Sequence, residues 1–492
     1  MQKHFKYLAI SLSLALSFAS ISLYAQSDTS KKPVFKIKSS VIKSDLNGFS
    51  LRIPDNAQRT INKENRFLAQ WGKFDKEGNP TWRFTITKRT GVPHKLDMSK
   101  YTTALAGSIE ASSNGLANIK SANNTIICNR KATYIAGEIY NMSKKASMNT
   151  GEKRKLVSTF NQVWVIYKPG EMIVFKFEAL ASQKNASQIW NKIYKSINLF
   201  DNSDAIKEAK KAVENTIKLI KNLSAKKIKR ALPKKPEYFI FYKHTKPIGW
   251  LRTTYKEVER NEEKGFQTQS FGYLYIPKKR GVKNSSDLMQ LLRKQTFLHD
   301  DFETECWSKN IQISVPGEAK NKTQVIDRSG IRKQSFIVST QGVETNAKVT
   351  QKMIPKDISR ILLDKTIEKL FPKLIDLSKP KKYSFSTYSQ EDNMFTYRSY
   401  TVCKPCKTVV QGRVVEAIKI EYLPAQFDKV LEIYVDKKGN VLKEMLPNGM
   451  VKEATSWEQI KATFTDKQHA NPAKLLNQLI KAHAKSYESL SY

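Results

Sequence analysis

Cysteine is scarce in this chain. Four occur in 492 residues, at Cys128, Cys306, Cys403 and Cys406. So few thiols exclude a disulfide-stapled scaffold, and an oxidising compartment would leave three pairings open. Sequence signatures of chemistry are missing as well. There is no second Cys-x-x-Cys beside Cys403-Lys-Pro-Cys406, no His-Glu-x-x-His, no Gly-rich phosphate loop and no Gly-x-Ser-x-Gly. Motif-built zinc sites, P-loop nucleotide hydrolysis and α/β-hydrolase chemistry are therefore not expected. Acid is in short supply: 45 Asp and Glu face 85 Lys and Arg, a net charge of +40. Long apolar runs are absent after residue 25. No later stretch approaches the ~18 uninterrupted apolar residues of a membrane-spanning helix.

What is present begins with a targeting segment over residues 1–25. Lys3 and Lys6 precede an uncharged run from Tyr7 to Leu23, and Ala25 before Gln26-Ser27 suits a signal peptidase. The alternative is a retained N-terminal anchor. No Cys follows the run, so the lipoprotein signal is missing. An exported bacterial protein, periplasmic or extracellular and not integral to a membrane after cleavage, is expected. Loss of Lys3 and Lys6 leaves 83 basic against 45 acidic residues, or +38. Such a surface attracts anionic membranes and other polyanions. Only 17 of the basic residues are Arg, and the Lys are spread along the chain. Lys is a solvated point charge and Arg the bidentate phosphate reader, so this balance argues against nucleic acid.

After a polar arm (residues 26–45), apolar residues alternate. Phe49, Leu51 and Ile53 share one strand face, as do Trp82, Phe84 and Ile86. Strands are expected at 48–54, 67–74, 81–87, 125–130, 131–142, 158–167 and 171–180, with helices near 99–113 and 184–197. The order implies an α+β sandwich over 46–200, an antiparallel sheet with helices packed on it. Gly48-Phe-Ser-Leu-Arg-Ile-Pro54, the central helix, the late hairpin and a last helix ending Ile193-Tyr-Lys-Ser-Ile197 resemble the PsbP-like family. That resemblance implies a binding or assembly role and transfers no residue role.

Residues 203–235 carry Ile206, Val213, Ile217, Ile220 and Leu223 at helical spacing among 11 basic and three acidic residues. This predicts a basic connector helix, docked by one face or laid on an anionic membrane. From 237 to 465 the pattern is long strands with one helix between them, at 358–370. That implies a large, curved antiparallel half-barrel whose concave face the helix covers. Tyr238, Ile248-Gly-Trp250, the Asp301–Glu305 segment, Ile354-Pro355 before the helix, Tyr434-Val-Asp-Lys-Lys-Gly-Asn-Val-Leu-Lys443 and Pro447-Asn-Gly449 carry a second resemblance. It is to the LolA/LppX-like lipoprotein carriers, in the form found ahead of transglutaminase-like domains. No such domain follows; residues 466–492 read as a helix and tail. The resemblance therefore implies an architecture and a lipid or lipoprotein acyl ligand, without an enzymatic role.

Two constellations invite chemistry. Cys403-Lys-Pro-Cys406 has thioredoxin-like spacing but lies between strands, where no helix N-terminus lowers a thiol pKa. A disulfide or thiol pair at a strand turn is expected. His299, Asp301, Glu303 and Glu305 would share one face of a strand and form a candidate cation site, or a solvated face. Cys128 reads as a core strand residue, and His469 and His483 lie far from any reactive Cys. No catalytic residue and no cofactor is expected. The reading is a non-catalytic envelope protein for binding or scaffolding. Its ligand would be an acyl chain in the half-barrel, or a separate envelope enzyme to which it is accessory.

Overall fold

The computed structural model describes residues 39–60, 67–114, 116–141, 155–260, 262–277, 287–315, 323–343, 346–390, 392–425, 428–446, 449–465 and 471–487. The leader, the arm as far as residue 38, the loop near 143–154 and Pro447-Asn448 lie outside them. The described residues divide into two compact units, one running up to Lys207 and the other from Glu208 onward.

The first unit contains β1 (Ser39–Ser44), β2 (Phe49–Pro54), β3 (Gln58–Thr60), β4 (Ala69–Phe74), β5 (Pro80–Thr90), α1 (Met98–Ser112), β6 (Ala117–Ile127), β7 (Arg130–Asn141), β8 (Lys155–Lys168), β9 (Glu171–Leu180), α2 (Ala186–Lys195) and β10 (Asn198–Leu199). A seven-stranded sheet in the order β3-β4-β5-β9-β8-β7-β6 accompanies a small sheet, β1-β2-β10. The alternation explains both. Phe175 and Phe177 of β9 are fully buried on one face of the large sheet, where Phe175 meets Phe49 edge-on and Phe177 stacks on Trp190 of α2. Met172 and Val174 point to the other face and join Met98 and Trp164 in a second cluster. Asp97 caps α1 by accepting from the N–H groups of Ser99 and Lys100. Gly48 has a φ of +66°, and a Cβ there would run into the Tyr167 hydroxyl, which donates to Phe200 O at 2.9 Å.

Next come α3 (Ser203–Lys221), which contains the boundary between the units, and α4 (Ala225–Ala231). The second unit continues with β11 (Glu237–Lys243), β12 (Lys246–Arg260), β13 (Glu263–Ile276), β14 (Leu288–His299), β15 (Thr304–Ser314), β16 (Gln324–Lys333), β17 (Phe336–Val343) and β18 (Asn346–Met353). Then follow α5 (Lys356–Ser359), α6 (Lys365–Leu374), β19 (Lys381–Ser389), β20 (Met394–Val410), β21 (Arg413–Leu423), β22 (Leu431–Val435), β23 (Val441–Met445), β24 (Met450–Thr455), α7 (Trp457–Thr463) and α8 (Pro472–Tyr487).

All fourteen strands make one antiparallel sheet, ordered β18 back to β11, then β24 back to β19. Two meanders are thus joined at the centre, where β11 pairs β24 with Tyr238 opposite Thr455. The sheet stays open, with β18 and β19 as its edges. Side chains still reach across that opening. Tyr388 Oη lies 2.8 Å from Ser339 Oγ, and Gln390 donates to Ser329 O at 2.8 Å. Helices α7 and α8 bury the outer face of β11–β14, with Ile460, Phe464, Leu475 and Leu479 against Ile240, Trp250, Phe271 and Tyr273. No helix among the described residues is long and apolar enough to cross a membrane.

The second half of the chain departs from the sequence expectations in several places. The connector at 203–235 is two helices, broken at Asn222–Ser224, and it docks: Leu219 and Ile228 are buried in the main core. Residues 300–303 form a turn, with Phe302 at a φ of +61°. Cys403 to Cys406 lie inside one long strand, β20, with a register shift between Val402 and Pro405. The turn expected there sits instead at Gln411-Gly412, both at positive φ. The covering helix begins at Lys365, not Ile358, because after α5 and a turn at 360–361 the chain runs beside β19 over 362–364, Leu363 N–H donating to Ser386 O.

Candidate functional site

The inner face of the half-barrel is organised around α6. Ile367, Leu370, Phe371 and Leu374 recur at i, i+3, i+4 and i+7, and all four are buried. They pack on Tyr383 and Phe385 of β19, Tyr400 and Val402 of β20, Ile420 of β21 and Ile433 of β22. Phe371 sits 4.9 Å from the Phe385 ring and 5.0 Å from that of Tyr400. Burial of each such side chain contributes roughly 2 kcal/mol.

The remaining surface of α6 is polar, and its groups reach five different strands. Thr366 Oγ1 lies 2.8 Å from Thr296 Oγ1 on β14. Lys369 donates to Ser270 Oγ on β13 at 3.3 Å, and Ser270 also bonds Thr253 of β12 at 3.1 Å. Lys373 donates to Glu237 of β11 at 3.0 Å and to Asn440 at 2.7 Å. Glu368 pairs with Arg398 of β20, which also donates to Tyr422 Oη at 2.7 Å. The helix N-terminus is capped from β15. Glu305 accepts from the N–H groups of Lys365 and Thr366, both at 2.9 Å. Its charge also faces the positive end of the helix dipole.

The residue at the N-cap position, Asp364, makes no capping bond. Its carboxylate instead lies 2.7 Å from Arg332 Nε, and Arg332 donates to Phe302 O at 2.6 Å. Burial, opposed by Arg332 and reinforced by Glu305, pushes the Asp364 carboxyl up to about 7. Burial, then the Lys294 charge, holds the Lys369 amine well below its ordinary range. Burial also raises the Tyr400 phenol, helped by neighbouring Tyr422, and the Tyr422 phenol, helped by Glu368. Burial works against the Arg398 charge, but Glu368 and the two tyrosines outweigh it.

A serine beside a lysine of lowered basicity has the composition of a hydrolytic dyad. Ser270 is only 4% exposed, however, and both groups face the packed flank of α6. A recess lined by Glu305, Trp307, Arg332, Asp364 and Tyr388 offers about 10 Å³, room for one water.

The residues singled out from sequence disperse. The turn at 300–303 breaks the shared face of His299, Asp301, Glu303 and Glu305. His299 Nδ1 lies 3.1 Å from Glu263, Asp301 accepts from its own turn at Glu303 N–H, and Glu303 accepts from Gln334. Only Glu305 joins the inner site. Among the described residues no group of three or more His, Cys, Asp and Glu converges as metal ligands would. Cys403 and Cys406 are both free thiols. Burial and nearby Glu421 push the Cys403 thiol up, away from reactivity. Cys128 is exposed at a φ of +49°, in the β6–β7 turn and not the core. The residues that sequence reasoning missed are Arg332, Asp364, Glu368, Lys369 and Arg398. The one legible trace of them was Asp364 ahead of an amphipathic run.

No protein-family model and no curated protein matches this sequence. Among solved structures, the chain is similar to the cyanobacterial PsbP (CyanoP) of Synechocystis sp. PCC 6803, at 8% identity and a TM-score of 0.26, covering 35% of this chain and 98% of that one. It is also similar to a β-barrel-like protein of domain of unknown function DUF1849 from Brucella abortus, at 10% identity and a TM-score of 0.29, covering 45% and 96%. The Ran-binding protein Mog1p of Saccharomyces cerevisiae matches at 9% identity and a TM-score of 0.25, covering 34% and 98%. Scores this low leave the architecture to this chain's own strands.

Proposed function

We propose that this chain is an exported, non-catalytic binding protein of the bacterial envelope that works through the inner face of its half-barrel. One observation carries the reading. The buried or half-buried ionisable groups of that face, Glu305, Asp364, Arg332, Glu368, Arg398 and Lys373, are bonded to one another and to α6. Catalytic groups instead aim at space that a substrate can occupy. An architecture of this kind holds and presents.

An acyl chain is the occupant that the apolar half of the face favours. Tyr383, Phe385, Val402, Ile420 and Ile433 form a continuous apolar surface beneath α6. Helix α6 already covers that surface, so a lipid tail would gain about 25 cal/mol per Å² of apolar area only where it takes the place of the helix. Native mass spectrometry of the protein purified from an envelope fraction checks both levels. Adducts with acyl-chain masses support the lipid reading. A defined protein adduct would replace it with the accessory-module reading. A bare mass in every preparation would count against a binding role.

A further inference from the structure

Helix α3 carries its charge on one side. Each residue of an α-helix advances about 100° around the axis, so Lys210, Lys211, Lys218 and Lys221 fall within roughly 100° of arc. All four are exposed, and Glu214 is the acid among them. Ala212, Thr216 and Leu219 are buried on the other side, and Asn215 beside them donates to Lys382 O at 2.9 Å. Helix α4 repeats the arrangement over two turns. Lys226 and Arg230 are exposed, and Ile228 between them is fully buried. Leu219 and Ile228 enter the same core, so both helices turn these cations outward.

Two other lysines of the connector find acids: Lys207 pairs with Asp204 and Lys229 with Glu257. The side chains of Lys210, Lys211, Lys218, Lys221, Lys226 and Arg230 make no ion pair and no hydrogen bond among the described residues. Their charge is therefore unspent. The apolar side of the helices is not. A helix that inserts into a bilayer puts its apolar face among the acyl chains, and here that face is committed to the protein core. What remains outside is a convex cationic surface. Convexity suits a charged plane better than a groove or a single headgroup. Composition agrees, because five of the six cations are Lys, a point charge, and bidentate phosphate reading needs Arg.

We infer that the outer face of α3 and α4 docks the protein on the surface of an anionic bilayer, by charge alone and without insertion. Each Lys held near such a surface raises affinity by about fivefold. The attraction decays within a Debye length, about 8 Å at physiological salt, so only side chains on this face take part. The inference rests on the reading of the chain as an envelope protein and names the surface it meets there; it does not depend on an acyl ligand in the half-barrel.

Co-sedimentation of the full chain with vesicles tests it. At low salt the protein should bind vesicles of phosphatidylglycerol and phosphatidylcholine, and not vesicles of phosphatidylcholine alone. The triple variant Lys211→Gln, Lys218→Gln, Lys221→Gln should lose roughly a hundredfold in affinity. A control triple on other elements, Lys348→Gln, Lys404→Gln, Lys407→Gln, removes the same charge from exposed positions and should lose far less. Circular dichroism of both triples should match the parent, since every substituted side chain is exposed. Equal losses in the two triples would assign the attraction to net charge and overturn the docking face, as would failure to bind the anionic vesicles. Release by high salt is expected; bound protein that resists salt would overturn docking without insertion. A DNA duplex that binds more tightly than the vesicles, and loses affinity with the first triple alone, would replace the bilayer with nucleic acid. If the vesicles are not bound while native mass spectrometry shows acyl adducts, the docking face falls and the binding role stands.

Discussion

Glu305 caps a helix that begins sixty residues later: its carboxylate accepts both the Lys365 and the Thr366 N–H at 2.9 Å. The side chain is 2% exposed, so its loss leaves two amides without an acceptor inside the sheet. Glu305→Ala should destabilise the half-barrel by about 3 kcal/mol and Glu305→Gln by about 1 kcal/mol. Urea unfolding of the full chain reads the difference.

Asp364 predicts a pH dependence. Its carboxyl rises from 3.8 to about 7 on folding, so the folded state favours the protonated form. The stability contributed by this group is complete below pH 4 and is lost as pH rises through 7. Melting temperature measured between pH 5 and 8 should fall more steeply for the parent than for Asp364→Asn. Parallel curves would mean that Asp364 does not titrate in this window.

The Arg398–Glu368 pair is largely enclosed, with side-chain exposures of 23% and 22%. Removing one partner strands the other charge beneath α6. Arg398→Ala should cost about 3 kcal/mol, and the double variant Arg398→Met with Glu368→Leu less than that. Chemical denaturation of the three proteins gives the ordering.

Two glycines at similar φ separate strain from contact. Gly439 (φ +78°) lies in the β22–β23 turn, and a Cβ there would collide with Pro372 O at the end of α6. Gly412 (φ +74°) has nothing within 4 Å. Gly412→Ala should cost about 1 kcal/mol and Gly439→Ala about 3 kcal/mol. The excess, read from unfolding midpoints, measures how firmly the turn presses on the helix.

Much of the fold was legible because its strands alternate. Trp82, Phe84 and Ile86 announce β5, and Leu431, Ile433 and Val435 announce β22, because one face is buried and the other wet. Strand β14 is hard to read from sequence because Lys294 and Gln295 interrupt the pattern: both of its faces are covered, and one carries polar groups. Edge strand β18 is hard to read for the opposite reason, since exposed Val349 and Met353 alternate with Lys348 and Lys352. The site was hidden because Glu305, Arg332 and Asp364 are far apart in sequence. Charged residues without local spacing read as surface until register brings them together.

The central pairing of β11 with β24 has a kinetic consequence. Each meander is built from neighbours in sequence and can zip up locally. Tyr238 finds Thr455 only after nearly the whole unit has been threaded between them. Such distant pairings pay the largest loop-closure entropy and slow folding. The half-barrel should therefore assemble as two quick arms and one slow seam. Because α6 draws contacts from both arms, it completes its packing only when the seam is closed.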